Sequence, residues 1–285
     1  MPLHRRVLLL RYFIMIKSIN IGFFPASDPL EQTLERVKTA GFGAVELNMN
    51  EENVSEGGLW YGISDEDALK VKALLEKYGL ACAGIVTDKL WQYNLTSDSI
   101  DMRAEGMKRI EKMIHLCTIV GATSVLVVPG IVDENVTYKN AYSNAQSCMK
   151  QLAPKAEAAG VLLGIEDVWN RFLLSPYEMA DFVDGVDSPA VGAFFDVGNV
   201  VINSYPEYWI EILEGRITRI HVKGFNRDNG KFCYLREGTI DWKKVMNQLR
   251  SIGYDGFITV ELGARDDWKA DLEQISSDLD KIFAE

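Results

Sequence analysis

Four short apolar runs mark the second half of this chain: VLLGIED (161–167), VGAFFDVGN (191–199), ITRIHVKG (217–224) and FITVELG (257–263). Each run is rich in β-branched or aromatic residues, a composition typical of buried strands in a parallel sheet. Near its end each run carries an acidic residue or a histidine, and the four that stand out are Glu166, Asp196, His221 and Glu261. A buried carboxylate is costly unless it is paired or holds a metal. Because consecutive strands of a barrel end at one face, the pattern predicts that the four side chains form a metal site.

Strand and helix patterns alternate outward from these runs over the rest of the chain. Strands are predicted at 17–24, 43–49, 80–87, 123–129, 161–167, 191–198, 217–224 and 257–262, with amphipathic stretches between them. Several of these stretches end in a glycine that can adopt the left-handed conformation of a helix end, at Gly41, Gly79, Gly121 and Gly160. Eight β/α units without a linker favour the α/β class and a closed (β/α)8 TIM barrel over a doubly wound sheet.

The first fourteen residues, MPLHRRVLLLRYFI, resemble a signal peptide only superficially. Arg11 interrupts the apolar run and no small-residue cleavage site follows, so secretion is disfavoured. We expect 1–14 to be a non-essential N-terminal extension and 15–285 to form a single TIM barrel domain. Met1 and Met15 both stay open as the natural start, because Met15 directly precedes the first predicted strand.

The composition indicates a protein that acts on a small molecule. Of its 285 residues 47% are hydrophobic, and the net charge of −11 disfavours nucleic acid or an anionic membrane as a partner. No apolar stretch approaches the ~20 residues of a membrane span. The four cysteines include no CxxC pair, which argues against a disulfide framework or a thiolate zinc site. We therefore expect a cytoplasmic protein with reduced thiols.

Five segments, in this order and spacing, resemble a known family: GFGAVEL (41–47), GIEDVWNRF (164–172), FFDVGN (194–199), IHVKG (220–224) and GYDGFITVELG (253–263). Over 15–285 the chain is similar to the xylose isomerase-like TIM barrel superfamily of sugar isomerases and epimerases. Within it the chain resembles ketose 3-epimerases of the tagatose and psicose (allulose) type. The resemblance implies one divalent cation bound by Glu166, Asp196, His221 and Glu261. It also implies a substrate-binding role for Arg227, a sugar or sugar phosphate as substrate, and a homodimer or homotetramer.

The chemistry of such a reaction agrees with these residue types. Epimerising or isomerising a ketose removes a proton next to a carbonyl and leaves negative charge on oxygen. A divalent cation stabilises that charge as a Lewis acid. Three carboxylates and an imidazole suit Mn²⁺, with Mg²⁺ or Co²⁺ as alternatives. As in the resembled family, we expect Glu166 and Glu261 to be the acid/base pair on a metal-bound enediolate, with Arg227 stabilising the oxyanion.

Two positions depart from the epimerase pattern. Asn199 stands where those enzymes have a histidine that touches the substrate, and Leu173 stands where they have a glutamate that contacts the sugar. We assign Asn199 to the substrate site. The changes predict poor activity on free tagatose and psicose, and a preference for a different ketose or a phosphorylated one.

Other residues keep two interpretations at this point. Glu46, at the end of the second strand, could orient the substrate or hydrogen-bond to backbone across the barrel mouth. Asp167 could point inward in place of Glu166, although strand alternation favours Glu166. Three aromatic residues could form the wall of a sugar pocket or belong to the core, namely Trp91, Trp169 and Phe23. Three basic residues could bind a phosphate or lie on the solvated surface, namely Lys223, Lys231 and Arg236.

The preferred function is that of a divalent-metal-dependent sugar (or sugar phosphate) isomerase/epimerase, specifically a ketose 3-epimerase. Three other functions compete with it. A dehydratase of the inositol-catabolic type would use a similar barrel and metal. A non-catalytic sugar-binding barrel would not need its carboxylate pair. An apurinic endonuclease is disfavoured, because the chain has three histidines and a charge of −11 instead of many histidines and a basic face.

Overall fold

The computed structural model of the protein describes residues 15–265 and 267–285. Parallel strands close into a barrel in the order β1-β8-β7-β6-β5-β4-β3-β2. The strands are β1 Ile16–Asn20, β2 Ala44–Asn48, β3 Ala81–Val86, β4 Ser124–Val127, β5 Leu162–Glu166, β6 Val191–Asp196, β7 Ile217–Val222 and β8 Phe257–Val260. The predicted (β/α)8 barrel is thus confirmed. The predicted N-terminal extension, 1–14, lies outside the described residues.

A helix follows each strand and packs on the outside of the barrel. The helices are α1 Leu30–Thr39, α2 Asp65–Tyr78, α3 Ile100–Val120, α4 Tyr138–Ala159, α5 Pro176–Val186, α6 Pro206–Leu213, α7 Trp242–Ser251 and α8 Trp268–Ala284. Gly79, Gly121 and Gly160 end three of them in the left-handed conformation, with φ of 58°, 82° and 65°, as predicted. Among the described residues, these helices include none that combines the length and apolar character needed to span a membrane.

The strands are shorter at their carboxyl ends than the sequence pattern predicts. The first strand was expected to reach residue 24, but it ends at Asn20, whose side-chain oxygen accepts a hydrogen bond from Gly22 N at 2.7 Å. This contact starts a 3₁₀ turn at Ile21–Phe23. An antiparallel hairpin of Gly224–Asn226 and Lys231–Cys233, which the sequence did not predict, follows β7. The loops that carry polar side chains therefore begin close to the barrel mouth.

Apolar side chains fill the barrel interior beneath that mouth. Phe194 of β6 is fully buried and its ring centroid lies 4.4 Å from that of His221. Gly164 of β5 makes room for it, because a Cβ there would lie 2.8 Å from Phe194 Cβ. Protein interiors are too closely packed to absorb such an overlap without movement. This packing fixes the layer of side chains directly beneath the polar residues at the barrel mouth.

The four cysteines are free thiols in this fold. Cys82, Cys117 and Cys148 are buried in β3, α3 and α4, whereas Cys233 is partly exposed in the hairpin. Burial raises the pKa of the Cys82 thiol to about 12, so it is protonated at neutral pH. The thiolate is the reactive form, so Cys82 is not placed to act as a nucleophile.

Candidate metal centre

The ends of β5 to β8 bring one acidic or imidazole side chain each to the same point. Glu166 and Asp196 are the last residues of β5 and β6, His221 lies near the end of β7, and Glu261 directly follows β8. Asp196 pairs with His221 across β6 and β7, and Glu261 N donates to Val222 O at 3.1 Å. Each of the four offers one ligand atom, and these atoms lie within 4.8 Å of one another. The structure therefore brings together all four residues predicted as metal ligands.

His221 lies at the centre of this cluster and is fully buried. Its Nδ1 atom is 3.4 Å from Glu166 Oε1, 3.5 Å from Glu261 Oε2 and 4.0 Å from Asp196 Oδ2. Its Nε2 atom lies 2.8 Å from Glu46 Oε2, on the opposite side of the ring. If Nε2 carries the hydrogen and donates it to Glu46, Nδ1 is the atom available to a cation.

Glu46 of β2 lies beside the Nε2 atom of His221 and is also fully buried. One carboxylate oxygen, Oε2, accepts hydrogen bonds from both Asn20 Nδ2, at 2.7 Å, and His221 Nε2, at 2.8 Å. A carboxylate on the far nitrogen of a metal-binding histidine fixes the ring and raises its basicity. Glu46 therefore contacts a ligand residue, where the sequence left open a substrate or backbone contact. The sequence did mark Glu46 as unusual, because it is a charged residue inside the apolar run GFGAVEL. The same feature identified the four predicted ligands.

Asp196 is held by the backbone that follows it. Its Oδ1 atom accepts hydrogen bonds from Gly198 N at 2.8 Å and Asn199 N at 2.9 Å, which leaves Oδ2 facing the cluster. Asp196 N in turn donates to Asp167 Oδ1 at 2.8 Å. Asp167 thus points towards β6, and Glu166 is the member of that pair that faces the cluster. The Asn199 side chain, predicted to bind substrate, donates to Asp167 O at 2.8 Å and joins the two loops.

Lys223, which the sequence left open as a phosphate-binding or solvated residue, lies within the cluster. Its ammonium lies 2.5 Å from Glu261 Oε2 and 2.9 Å from Asp196 Oδ2. The Lys223 stem crosses Gly198, where an added Cβ would lie 2.4 Å from Lys223 Cγ. The signal was present in the spacing, because Lys223 follows His221 by two residues and side chains two apart in a strand share a face.

The two glutamates of the cluster have opposite pKa shifts. Burial, aided by the negative charge of Glu261, raises the pKa of Glu166 to about 7. Burial also disfavours ionisation of Glu261, but the positive charges of His221 and Lys223 outweigh it and hold the Glu261 pKa well below its usual range. A pair of carboxyl groups separated in this way is typical of sites that need one acid and one base.

A cavity of about 330 Å³ opens above the cluster. Glu166 and Glu261 line it, whereas Asp196 and His221 are fully buried beneath. The remaining wall comes from the carboxyl ends of β1 to β4 and from the loops that follow β2 to β4. Its polar or aromatic members are Asn20, Asn48, Asn50, Thr87, Asp88 and Trp91. The volume is at the lower end of the ~300–1,000 Å³ range of ligand pockets, which suits a small polar molecule.

The aromatic residues considered for a sugar wall lie in three different places. Trp91 lines the cavity above the cluster and is 42% exposed at its mouth. Trp169 stacks on Phe232 with ring centroids 4.8 Å apart and lines a neighbouring cavity of about 290 Å³. Phe23 is buried in the core. Only Trp91 of the three is therefore placed to cover a ligand above the cluster.

Arg227 and Leu173 lie to the side of this cavity. The Arg227 guanidinium lies 4.4 Å from the ring centroid of Tyr205 and donates a hydrogen bond to Ser204 O. Leu173, which replaces the sugar-contacting glutamate of the resembled enzymes, is buried at the edge of the neighbouring cavity with Trp169. Arg227, which was expected to contact substrate, is thus engaged in contacts within the protein, and Leu173 does not line the cavity above the cluster.

The cluster fits a divalent cation on its own chemistry. Glu166 Oε1, Asp196 Oδ2 and His221 Nδ1 are buried and, within the described part of the chain, have no hydrogen-bond partner. The Lys223 ammonium, 2.9 Å from Asp196 Oδ2, offsets part of the negative charge of that carboxylate. Buried polar atoms without partners are rare and usually indicate a bound ion or water. Carboxylate oxygens with one imidazole nitrogen form a donor set suited to Mn²⁺, Mg²⁺ or Co²⁺.

Comparisons with known proteins agree with this geometry. The family model described as the xylose isomerase-like TIM barrel matches residues 34–280 and confirms the resemblance seen in the sequence. The uncharacterized protein MJ1311 of Methanocaldococcus jannaschii is 29% identical over 252 residues, covering 85% of this chain and 81% of the relative. L-ribulose-5-phosphate 3-epimerase UlaE of Salmonella typhi is 22% identical over 258 residues, covering 87% of this chain and 89% of the relative.

Solved structures show the same fold at lower sequence identity. A structure of L-ribulose 3-epimerase superposes with a TM-score of 0.80 and 18% identity, covering 95% of each chain. D-psicose 3-epimerase with D-tagatose, from Clostridium cellulolyticum H10, superposes with a TM-score of 0.76 and 17% identity, covering 95% of this chain and 100% of that chain.

Proposed function

We propose a function for this chain, which belongs to the xylose isomerase-like TIM barrel family. It is an enzyme, as its epimerase relatives are. The proposed activity is that of a divalent-metal-dependent ketose 3-epimerase. One observation carries the proposal, namely that Glu166 and Glu261 line the cavity while Asp196 and His221 lie buried beneath it. Two carboxylates are thus available to a ligand as well as to a cation.

The proposed cation ligands are Glu166, Asp196, His221 and Glu261, and Mn²⁺ is the preferred ion. When bound, such an ion supplies Lewis-acid stabilisation of negative charge on a carbonyl oxygen. Glu46 keeps the His221 ring in place, and the Lys223 ammonium offsets part of the negative charge of Asp196 and Glu261. Together these residues hold two buried carboxylates and a partly exposed one at positions where they would otherwise repel one another.

Glu166 and Glu261 are the proposed acid and base. Both carboxylates line the cavity, so one can accept a proton from the carbon beside the ketose carbonyl while the other delivers one. Strands β5 and β8 are separated by β6 and β7 in the barrel, so the two carboxylates approach the cavity from different sides. Removal on one side and return on the other would invert the carbon.

The names of the relatives support the choice of carbon. UlaE is named for 3-epimerisation of L-ribulose-5-phosphate, and two structural neighbours are named as 3-epimerases of L-ribulose and D-psicose. We further propose that Arg227 and Asn199 contact the substrate, which would require Arg227 to leave Ser204. A cytoplasmic location and a homodimer or homotetramer are also proposed.

The test is proton exchange at the reacting carbon. Metal-loaded protein is incubated in D₂O with ketoses, and deuterium in substrate and product is followed by NMR. Glu166→Gln and Glu261→Gln, at saturating metal, should each lower the exchange rate by about 10²- to 10⁴-fold, the usual effect of losing a general acid or base. Glu207→Gln is the matched control, because Glu207 is a buried glutamate on α6 outside the cluster.

Each competing function predicts a different result. Loss of water from the substrate would identify a dehydratase. Binding of a sugar without exchange, unchanged in both glutamine variants, would identify a non-catalytic barrel. Turnover that leaves no deuterium in the product, with both variants active, would contradict the proposal and indicate hydride transfer or a site elsewhere.

A further inference from the structure

We infer that the substrate is an unphosphorylated monosaccharide, bound with its hydroxyl groups against the wall formed by the carboxyl ends of β1 to β3 and the loops that follow β2 and β3. The inference rests on the proposed function and narrows its substrate class. It comes from the charge and hydrogen-bonding polarity of the cavity wall opposite the metal cluster.

The first observation is the charge of the wall. Asp88, Glu166 and Glu261 are the ionisable residues that line the cavity, and among the described residues no lysine or arginine lines it. A phosphate monoester carries a charge of about −1.5 to −2 at neutral pH. Its binding sites normally supply arginine, lysine or free backbone amides. A phosphate group in this cavity would face Asp88, and none of the lining residues is a lysine or arginine that would offset its charge.

The second observation is the polarity of the hydrogen-bonding groups. Asn48 Oδ1 is buried, belongs to a residue that lines the cavity, and has no partner in the described structure. As an amide oxygen it can only accept, and the Asp88 carboxylate likewise only accepts when ionised. Sugar hydroxyl groups can donate to both, whereas a phosphate dianion can donate to neither. The wall is therefore complementary to a polyol.

The third observation is that two backbone amides beside this wall already donate hydrogen bonds within the protein. Gly22 N, at the start of the 3₁₀ turn after β1, donates to Asn20 Oδ1 at 2.7 Å. Lys89 N, at the start of the turn Asp88–Trp91, donates to Thr87 Oγ1 at 3.3 Å.

The fourth observation concerns the basic residues once considered for phosphate. Lys223 is held by Asp196 and Glu261, and Arg236 pairs with Glu285 at 2.5 Å between Nη1 and Oε1. Lys231 is exposed on the hairpin. Lys89 lies beside the cavity, but its Nζ is 3.4 Å from Asp88 Oδ2. These cations do not converge on a common anion site.

The experiment compares matched ketose pairs on the same metal-loaded enzyme. Exchange of the hydrogen on C3 is measured by NMR in D₂O with Mg²⁺ for L-ribulose against L-ribulose 5-phosphate, and for D-fructose against D-fructose 6-phosphate. We expect kcat/KM for at least one free ketose to exceed that of its phosphate by about tenfold or more, because no lysine or arginine lines the cavity to bind the dianion.

The outcomes separate this inference from the proposed function. Equal rates within both pairs, or faster exchange of the phosphates, would overturn the substrate class and leave the epimerase proposal standing. No exchange in any of the four, from protein shown by calorimetry to hold its cation, would overturn the proposed function and the inference with it.

A charge-reversal variant tests the wall directly. Asp88→Lys places a cation at the mouth of the cavity without altering a residue of the metal cluster, and should raise the phosphate-to-free ratio of kcat/KM by about tenfold. Glu211→Lys on the exposed face of α6 is the control with the same change of net charge. An unchanged ratio in Asp88→Lys, or an equal rise in both variants, would show that Asp88 does not select the substrate.

Discussion

Replacing Glu46 by glutamine should weaken cation binding while leaving the barrel folded. Glu46 Oε2 accepts both of the carboxylate's hydrogen bonds, from Asn20 Nδ2 and His221 Nε2, and Oε1 has no partner. A glutamine oxygen in the place of Oε2 can accept both bonds, with its NH₂ group in the place of Oε1. The variant therefore removes the negative charge and preserves the shape.

The size of the effect follows from the role of that charge. A carboxylate on the far nitrogen of a ligand histidine is typically worth about 10- to 100-fold in metal affinity. This corresponds to about 1.4–2.7 kcal/mol of binding free energy. The effect should appear in full because Glu46 and His221 are both fully buried and solvent does not screen them.

Isothermal titration of metal-stripped protein with Mn²⁺ measures this directly. We expect the Kd of Glu46→Gln to rise by about 10- to 100-fold at unchanged stoichiometry. The control is Glu207→Gln, whose Kd should match that of the unaltered protein. Wild-type affinity in Glu46→Gln, in a variant with a normal melting temperature, would refute the assignment of Glu46 to His221.

Three other predictions follow from the site and the sequence. Lys223→Met leaves Asp196 without its counter-ion, so the metal-free protein should lose about 3–5 kcal/mol of stability while Mn²⁺ binds more tightly. Calorimetry should then show a larger difference between the melting temperatures in EDTA and in Mn²⁺ than for the unaltered protein. An equal difference in melting temperature would contradict this. Deleting residues 1–14 should leave activity and melting temperature unchanged, and a large loss of thermal stability would show that the segment packs on the barrel. Free tagatose and psicose should be poor substrates because Asn199 and Leu173 replace sugar-contacting residues of the epimerases, and turnover rates for these ketoses comparable to the family's would contradict this.

The sequence was sufficient for the fold because the pattern is local. Apolar runs and helix-ending glycines such as Gly121 report on their own segment, and eight repeats of that pattern leave few architectures. The four proposed ligands could be recognised for the same reason. A charge at the end of a buried strand is visible in one segment, and the barrel places all such ends on one face.

Contacts between distant segments could not be predicted in this way. Glu46 reaches His221 across 175 positions of sequence, and the register between β2 and β3 shifts at Val45/Glu46. Such irregularities redirect a side chain without a signal in composition. The contact of Arg227 with Ser204 likewise depends on a loop conformation that the spacing of residues does not specify.

A crystal grown with Mn²⁺ and measured at the manganese absorption edge tests the central claim most directly. The account predicts one strong anomalous peak per chain within about 2.0–2.6 Å of oxygen ligands and of His221 Nδ1, with Glu166, Asp196 and Glu261 supplying the oxygens. The same map should show Lys223 Nζ displaced from the position it shares with Asp196 and Glu261. A manganese peak elsewhere, with these four side chains more than about 3 Å from any ion, would contradict the account.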